Sequence, residues 1–236
     1  LGWPDQGLAF DVAVHLGTLV AVLGYFRSDL WNIARACLSF HSVEGSVEGS
    51  AEGLALAKFL LVASLPVFAA GAAFEEVVET ALRNPHVIAT TTAVFGILLW
   101  AADRLGGRRR TLETLGWSDA LLIGLAQAMA LVPGVSRAGV TMTAARALGL
   151  DRRSAVRFSF LLAIPVILGA SVFKAIDLVG SPQPMSWYVF GLGVVVSACS
   201  AWCVLVVFLR VIEKSGMLVF VLYRLLLAAF LFYWFQ

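Results

Sequence analysis

A polar turn interrupts an otherwise apolar part of the sequence at residues 131–141, which read Leu-Val-Pro-Gly-Val-Ser-Arg-Ala-Gly-Val-Thr. The hydrocarbon core of a bilayer contains no water that could hydrate an arginine, hydroxyl groups or irregular backbone. In a membrane, such a turn must therefore lie inside protein or beside water. Polar groups in that setting mark a candidate functional site.

The residue types of this turn suit phosphate. Gly134 and Gly139 allow the backbone to approach a ligand closely. Arg137 supplies a permanently charged guanidinium that can bind two phosphate oxygens at once. Ser136 and Thr141 supply hydroxyls that can hydrogen-bond a phosphate, and a serine can also attack one. A helix that begins after the turn would add free N–H groups, which attract anions.

The sequence therefore predicts a phosphate-binding turn with three groups of residues. The candidate catalytic residues are Arg137, Ser136 and Thr141. The expected phosphate-binding and supporting positions are Gly134, Val135, Ala138 and Gly139, with Gln127 and Pro133 as supports. The alternative interpretation is structural, because a buried arginine can tie helix ends together and glycines can simply allow close packing.

The composition predicts an all-α, polytopic integral membrane protein. Hydrophobic residues make up 60% of the chain and charged residues 14%, and the mean hydropathy is +0.90, far from the values of soluble domains. The formal net charge of +2 says little about partners, because the placement of charge matters more than its sum. The expected partner is the lipid bilayer, and no nucleic-acid partner is expected. Six segments have about the 20 residues that a bilayer requires: 8–26, 54–74, 86–102, 158–176, 187–208 and 217–235.

Residues 119–150, between the third and fourth predicted spans, form two shorter apolar arms of about 13–14 residues each, too few to cross a bilayer. We expect a re-entrant helical hairpin with residues 133–137 at its tip. Basic residues before and after this segment place both flanks in the cytoplasm by the positive-inside rule. Arg146 and Arg157 are expected to extend to the cytoplasmic surface.

The predicted spans suggest a single membrane domain, residues 1–236, built from two inverted-topology repeats. The second repeat, 119–236, has the hairpin and three spans. The first repeat, 1–102, has three spans only, so a matching hairpin is expected before Leu1. The connector 27–53 is predicted to be a flexible linker, because it contains a Glu-Gly-Ser repeat.

The stretch Gln-Ala-Met-Ala-Leu-Val-Pro-Gly-Val-Ser-Arg-Ala-Gly-Val-Thr at 127–141, followed by Phe-Ser-Phe-Leu-Leu-Ala-Ile-Pro at 158–165, resembles the bacitracin-resistance family of undecaprenyl-pyrophosphate phosphatases. Residues 7–18 and 223–228 fit the same resemblance. It implies hydrolysis of undecaprenyl pyrophosphate to undecaprenyl phosphate and inorganic phosphate, which recycles the cell-wall carrier lipid. It also implies a multi-pass protein of the bacterial inner membrane with its site facing outward, a divalent cation (Mg²⁺ or Ca²⁺), and leaves a homodimer open.

Two departures from the family pattern matter. Ala138 stands where the family usually has a second serine. The family's other motif, an acid pair followed by a serine-histidine turn, has no match here. The metal ligands and the nucleophile therefore stay unknown. The resemblance places that motif before Leu1, so residues 1–236 alone are expected to be weakly active or inactive.

Acids four residues apart, such as Glu75 and Glu79, precede no serine-histidine turn and are expected to be solvated. The alternative function is a transporter or flippase of a polyprenyl or other lipid phosphate. Inverted repeats with broken helices are a transporter architecture, and a carrier would not need the acid pair and the histidine.

Overall fold

The computed structural model describes residues 8–39, 50–80, 82, 84–107, 110–180 and 186–235. Over these ranges the chain forms nine α-helices and no strand. The helices are α1 (Leu8–Tyr25), α2 (Arg27–Ser39), α3 (Ser50–Thr80), α4 (Pro85–Leu105), α5 (Trp117–Ala128), α6 (Arg137–Ala147), α7 (Arg152–Gly180), α8 (Trp187–Ser215) and α9 (Leu218–Trp234). Two single 3₁₀ turns, Leu112–Thr114 and Met129–Leu131, precede and follow α5.

Four helical segments are long and apolar enough to cross a membrane: Ala51–Phe74, Pro85–Leu105, Arg152–Phe173 and Trp187–Ile212. The pair α1 and α2, bent by 79°, forms a fifth candidate. Apolar helix α9 is shorter, at 17 residues. The prediction of an all-α protein with several membrane-type helices is thus confirmed, and the count of six spans stays a prediction.

The first part of the predicted linker 27–53 is helical, and that prediction is wrong there. Helix α2 covers Arg27–Ser39 and α3 begins at Ser50, while residues 40–49 lie outside the described residues. Leu30 and Ile33 of α2 pack against the main hydrophobic cluster. Asp29 forms an ion pair with the half-exposed Arg157 of α7. These contacts with residues distant in sequence stabilise α2. The helix was not predicted, because a Glu-Gly-Ser repeat follows it in the same connector.

Helices α5 and α6 form a hairpin whose two ends meet. The N–H of Arg110 donates to Gly149 O (3.2 Å), and the N–H of Asp151 donates to Arg110 O (2.8 Å). The arms contain 12 and 11 residues, which makes each about 17 Å long. The chain therefore enters and leaves the hairpin at the same end. Each arm is shorter than the thickness of a hydrocarbon core, which is roughly 30 Å.

Asp119 fixes the start of α5. Its carboxylate accepts from the N–H of Gly116 (2.9 Å) and from Nη2 of Arg110 (2.5 Å). This hydrogen-bonded carboxylate raises the pKa of Arg110. The backbone of Arg110 also forms hydrogen bonds with Gly149 and Asp151, after α6. Arg110 therefore joins the start of α5 to the end of α6.

A buried ion cluster closes the same end of the hairpin. Arg146 is 0% exposed and donates from Nε to Asp103 Oδ1 (3.2 Å) and from Nη1 to Gly107 O (2.9 Å). Arg152 donates from Nη2 to Asp103 Oδ2 (2.6 Å). The prediction that Arg146 extends to the surface is therefore wrong. A carboxylate and carbonyl groups satisfy this guanidinium inside the protein, so it need not reach water.

Candidate phosphate-binding site

The tip of the hairpin is a tight turn that requires glycine at position 134. Gly134 has φ +89°, a conformation that side-chain-bearing residues rarely adopt. A Cβ at this position would lie 2.2 Å from Thr91 Oγ1 and 2.5 Å from Ile88 O of α4. The tip therefore packs directly against α4, and both its backbone conformation and its surroundings exclude a side chain.

Ser136 is the N-cap of α6 and the only described non-glycine residue with a positive φ, at 67°. Its Oγ accepts from the N–H of Gly139 (3.3 Å), as an N-cap side chain does. Among the described residues, no acceptor bonds the N–H groups of Arg137 and Ala138. Helix α6 thus begins with two open donors next to an unusual backbone conformation, the setting in which helix starts bind anions.

The guanidinium of Arg137 adds positive charge at this helix start. Its Nη1 is buried and has no hydrogen-bond partner within the part of the chain that the structure describes. A buried cationic donor without a partner is costly, and an anionic ligand would remove that cost. Arg137 and the open N–H groups together form an arrangement that can bind a phosphate.

Thr141 lies one turn further along α6 and is 1% exposed. Its Oγ1 lies 2.6 Å from Ser159 Oγ of α7 and 2.9 Å from Arg137 O, to which it donates. The hydroxyl predicted to touch phosphate is therefore engaged within the protein, where it links the start of α6 to α7. Ser159 was not predicted, although a serine between two phenylalanines in an apolar span was a signal.

The predicted supports Gln127 and Pro133 and the predicted phosphate-binding residue Val135 each form a different hydrogen bond within the protein. Gln127 is 0% exposed and donates from Nε2 to Ala63 O of α3 (3.2 Å), while its buried Oε1 has no partner among the described residues. The carbonyl of Pro133 bonds α4. The N–H of Val135 donates to Val132 O (3.2 Å), so this N–H stabilises the turn itself.

Three further residues at the tip were missed by sequence reasoning: Thr91 and Thr92 of α4, and Arg224 of α9. Each donates to a carbonyl of the turn. Arg224 is 3% exposed and is the single charged residue in the sequence of α9. A lone arginine in an apolar helix was the available signal, because such residues usually serve a site.

The described residues assign no ligands to the divalent cation that the family resemblance implies. They contain no group of three or more His, Cys, Asp or Glu side chains that could hold a metal ion. The side chains of Glu75 and Glu79 lie outside the described residues. The donors at the hairpin tip are N–H, hydroxyl and guanidinium groups, which suit an anion and not a metal ion.

The Gly134→Ala variant is expected to lose about 1–3 kcal/mol of stability, because a side chain is strained at this φ, with a further cost from overlap with α4. The measurement is the thermal unfolding midpoint in lipid nanodiscs. Gly191→Ala in α8 is the matched control, since a Cβ at Gly191 meets nothing within 4 Å. Equal midpoints for the two variants would contradict this account of the tip.

The apolar helices are those of an integral membrane protein, and the donors at the hairpin tip form an arrangement that can bind an anion. Comparison with known proteins gives the family: the chain belongs to the bacitracin resistance protein BacA family, whose model matches residues 1–230. This confirms the resemblance predicted from the sequence.

Three similar curated proteins are each named undecaprenyl-diphosphatase. The protein from Teredinibacter turnerae is 51% identical over 98% of this chain and 86% of its own length. The protein from Alcanivorax borkumensis is 49% identical over 99% of this chain and 87% of its own length. The protein from Nitrosococcus oceani is 49% identical over 100% of this chain and 87% of its own length.

Proposed function

We propose that this protein hydrolyses undecaprenyl diphosphate to undecaprenyl phosphate and inorganic phosphate, and so returns the carrier lipid to cell-wall synthesis. Membership of the BacA family and similarity to proteins named undecaprenyl-diphosphatase support the activity. The structural observation that carries the proposal is the buried Nη1 of Arg137, which has no partner among the described residues, at the open start of α6.

In this proposal Arg137 and the first N–H groups of α6 hold the diphosphate. These donors stabilise the negative charge on the oxygens of the transferred phosphoryl group, which is the main task in phosphoryl transfer. The Oγ of Ser136 accepts from Gly139, so its own proton is available to a phosphate oxygen. Thr141 acts through the carbonyl of Arg137 and orients the start of α6. The attacking nucleophile is not assigned.

We place the hairpin inside the bilayer as a re-entrant element between two cytoplasmic flanks. The charged groups at its base, such as Arg110 and Arg152, support this orientation. An arm of about 17 Å brings the tip to mid-membrane depth, with the site open to the outer face of the bacterial inner membrane. The six spans form two inverted repeats, 1–102 and 119–236, and the prenyl tail lies among them in lipid.

A requirement for Mg²⁺ or Ca²⁺ is part of the proposal and rests on the family resemblance. The described residues offer no set of ligands for such an ion. We therefore assign no ligand and derive no step through the cation.

Phosphate release tests the activity and the cation requirement together. The complete gene product, reconstituted in lipid nanodiscs, is expected to release inorganic phosphate from undecaprenyl diphosphate. Release is expected to stop with a chelator and to return with added Mg²⁺ or Ca²⁺. The readouts are a colorimetric phosphate assay and chromatography of the lipid product.

Two results would contradict the proposal. Full phosphate release in excess chelator would refute the proposed requirement for a divalent cation. No phosphate release, together with movement of a fluorescent polyprenyl phosphate across liposome membranes, would replace the enzyme with the transporter that the inverted-repeat architecture also suggests.

A further inference from the structure

Two consecutive carbonyl groups of the hairpin tip are anchored by side chains of other helices. Thr91 Oγ1 lies 2.6 Å from Pro133 O, and Thr92 Oγ1 donates to Gly134 O (3.2 Å). The Gly134 carbonyl also accepts from Nη2 of Arg224 (2.7 Å). The distance from Thr91 Oγ1 to Pro133 O is shorter than those to the carbonyls of its own helix, which are 2.9 and 3.1 Å. Of the three carbonyls within reach of this hydroxyl, the one at the tip is thus the nearest.

Anchoring these carbonyls determines which atoms the tip can present to a ligand. A carbonyl oxygen carries partial negative charge and would repel a phosphate. In a trans peptide group the C=O and the N–H point in opposite directions, and no described peptide bond is cis. Because the Pro133 carbonyl is held on α4, the N–H of Gly134 points away from α4. The anchored turn therefore keeps its acceptors on the α4 side.

Arg224 completes the anchor from α9. Its Nε and Nη2 each lie 3.3 Å from Thr92 O, so the same guanidinium joins α4 and the tip. A Cβ at Gly139 would lie 3.0 Å from its Nη1, which places this cation beside the first turn of α6. Thr92 therefore contributes twice, through its hydroxyl to Gly134 and through its carbonyl to Arg224.

We propose that Thr91 and Thr92 are positioning residues that hold the hairpin tip in its phosphate-binding conformation. This inference rests on the proposed phosphatase function and deepens it, since neither threonine is part of the predicted turn. They act on the reaction through the carbonyls of Pro133 and Gly134, and without direct contact with the substrate.

The chain supplies a matched control in the adjacent residue. Thr90 lies on the same helix and is exposed. Its hydroxyl donates within α4, to His86 O (2.7 Å). A Thr90→Val variant therefore removes a hydroxyl from α4 without changing any contact of the tip.

The test measures kcat and KM for phosphate release by the complete gene product carrying Thr91→Val, Thr92→Val or Thr90→Val. Each of the first two variants is expected to lower kcat about tenfold, because a tip that has lost one anchoring hydrogen bond holds its phosphate donors less well in the transition state. The KM should change less, because the donors of the tip stabilise the transition state, where the negative charge has grown, more than the bound substrate. Thr90→Val should behave as the unmodified protein, and Thr91→Ser, which keeps the hydroxyl, should restore most of the kcat.

Activity of Thr91→Val and Thr92→Val equal to that of Thr90→Val would overturn the inference. So would equal losses in Thr91→Ser and Thr91→Val accompanied by a lower thermal unfolding midpoint, because that result indicates general damage. If the unmodified protein releases no phosphate, the proposed function fails by itself. Calorimetric binding of inorganic pyrophosphate then decides the inference: weaker binding by Thr91→Val than by Thr90→Val supports it, and equal binding refutes it.

Discussion

Replacing Arg137 with alanine is expected to lower phosphate release from undecaprenyl diphosphate by about 10²–10³-fold, the usual cost of removing one donor to a developing anion. The guanidinium has a buried Nη1 without a partner among the described residues, so its removal breaks no described side-chain ion pair. The variant should therefore insert into the membrane and fold. The measurement is kcat/KM in nanodiscs, normalised to the amount of folded protein.

Two further variants make this expectation specific. Arg137→Lys keeps the charge but loses the planar fork that binds two phosphate oxygens, and should show intermediate activity. Arg153→Ala is the control, because Arg153 is an exposed arginine of α7 near the hairpin base, away from the tip. An Arg137→Ala variant as active as Arg153→Ala would refute the assigned site.

The local structure of the candidate site could be predicted, because a helix start, its cap and a glycine turn depend on neighbouring residues in the sequence. A serine before a helix start caps it, a glycine permits a positive φ, and an arginine between apolar arms stands out. The structure accordingly begins α6 at Arg137, caps it with Ser136 and places Gly134 at φ +89°. The contrast between polar tip and apolar arms needed no knowledge of distant contacts.

The contacts that hold the site could not be predicted, because they join residues far apart in the sequence. Thr91 and Arg224 reach the tip across 42 and 90 residues. The lone Arg224 indicates that one face of α9 serves a site, but no local pattern of α4 or α9 specifies that this site is the hairpin tip. For the same reason Thr141 was predicted to be free for the ligand, whereas Ser159 on α7 engages its hydroxyl.

Arg146 shows the same limit at the other end of the hairpin. An arginine near the end of an apolar segment is typical of a side chain that extends to water. Its actual environment depends on Asp103, which lies 43 residues earlier. The sequence does not show that two arginines share this one carboxylate, and that arrangement has a measurable consequence for stability.

The Asp103→Ala variant is expected to lose about 3–5 kcal/mol of stability, the usual result of breaking a buried ion pair. The carboxylate accepts from Nε of Arg146 (3.2 Å) and from Nε and Nη2 of Arg152 (2.8 and 2.6 Å). All three bonds disappear in the variant, while Arg146 stays fully buried. The measurement is the free energy of unfolding in mixed detergent micelles titrated with sodium dodecyl sulfate.

Asp29→Ala is the matched control for this prediction, because it also removes an ion-paired aspartate. The partner of Asp29, Arg157, has a side chain that is 45% exposed, against 0% for Arg146. Water can therefore solvate Arg157 once its partner is gone, and an exposed pair contributes only about 0–1 kcal/mol.

Asp103 joins α4 to the ends of α6 and α7, so its loss should also release the hairpin base and lower activity on mild heating. Equal losses of stability in the two variants would show that this cluster does not hold the hairpin.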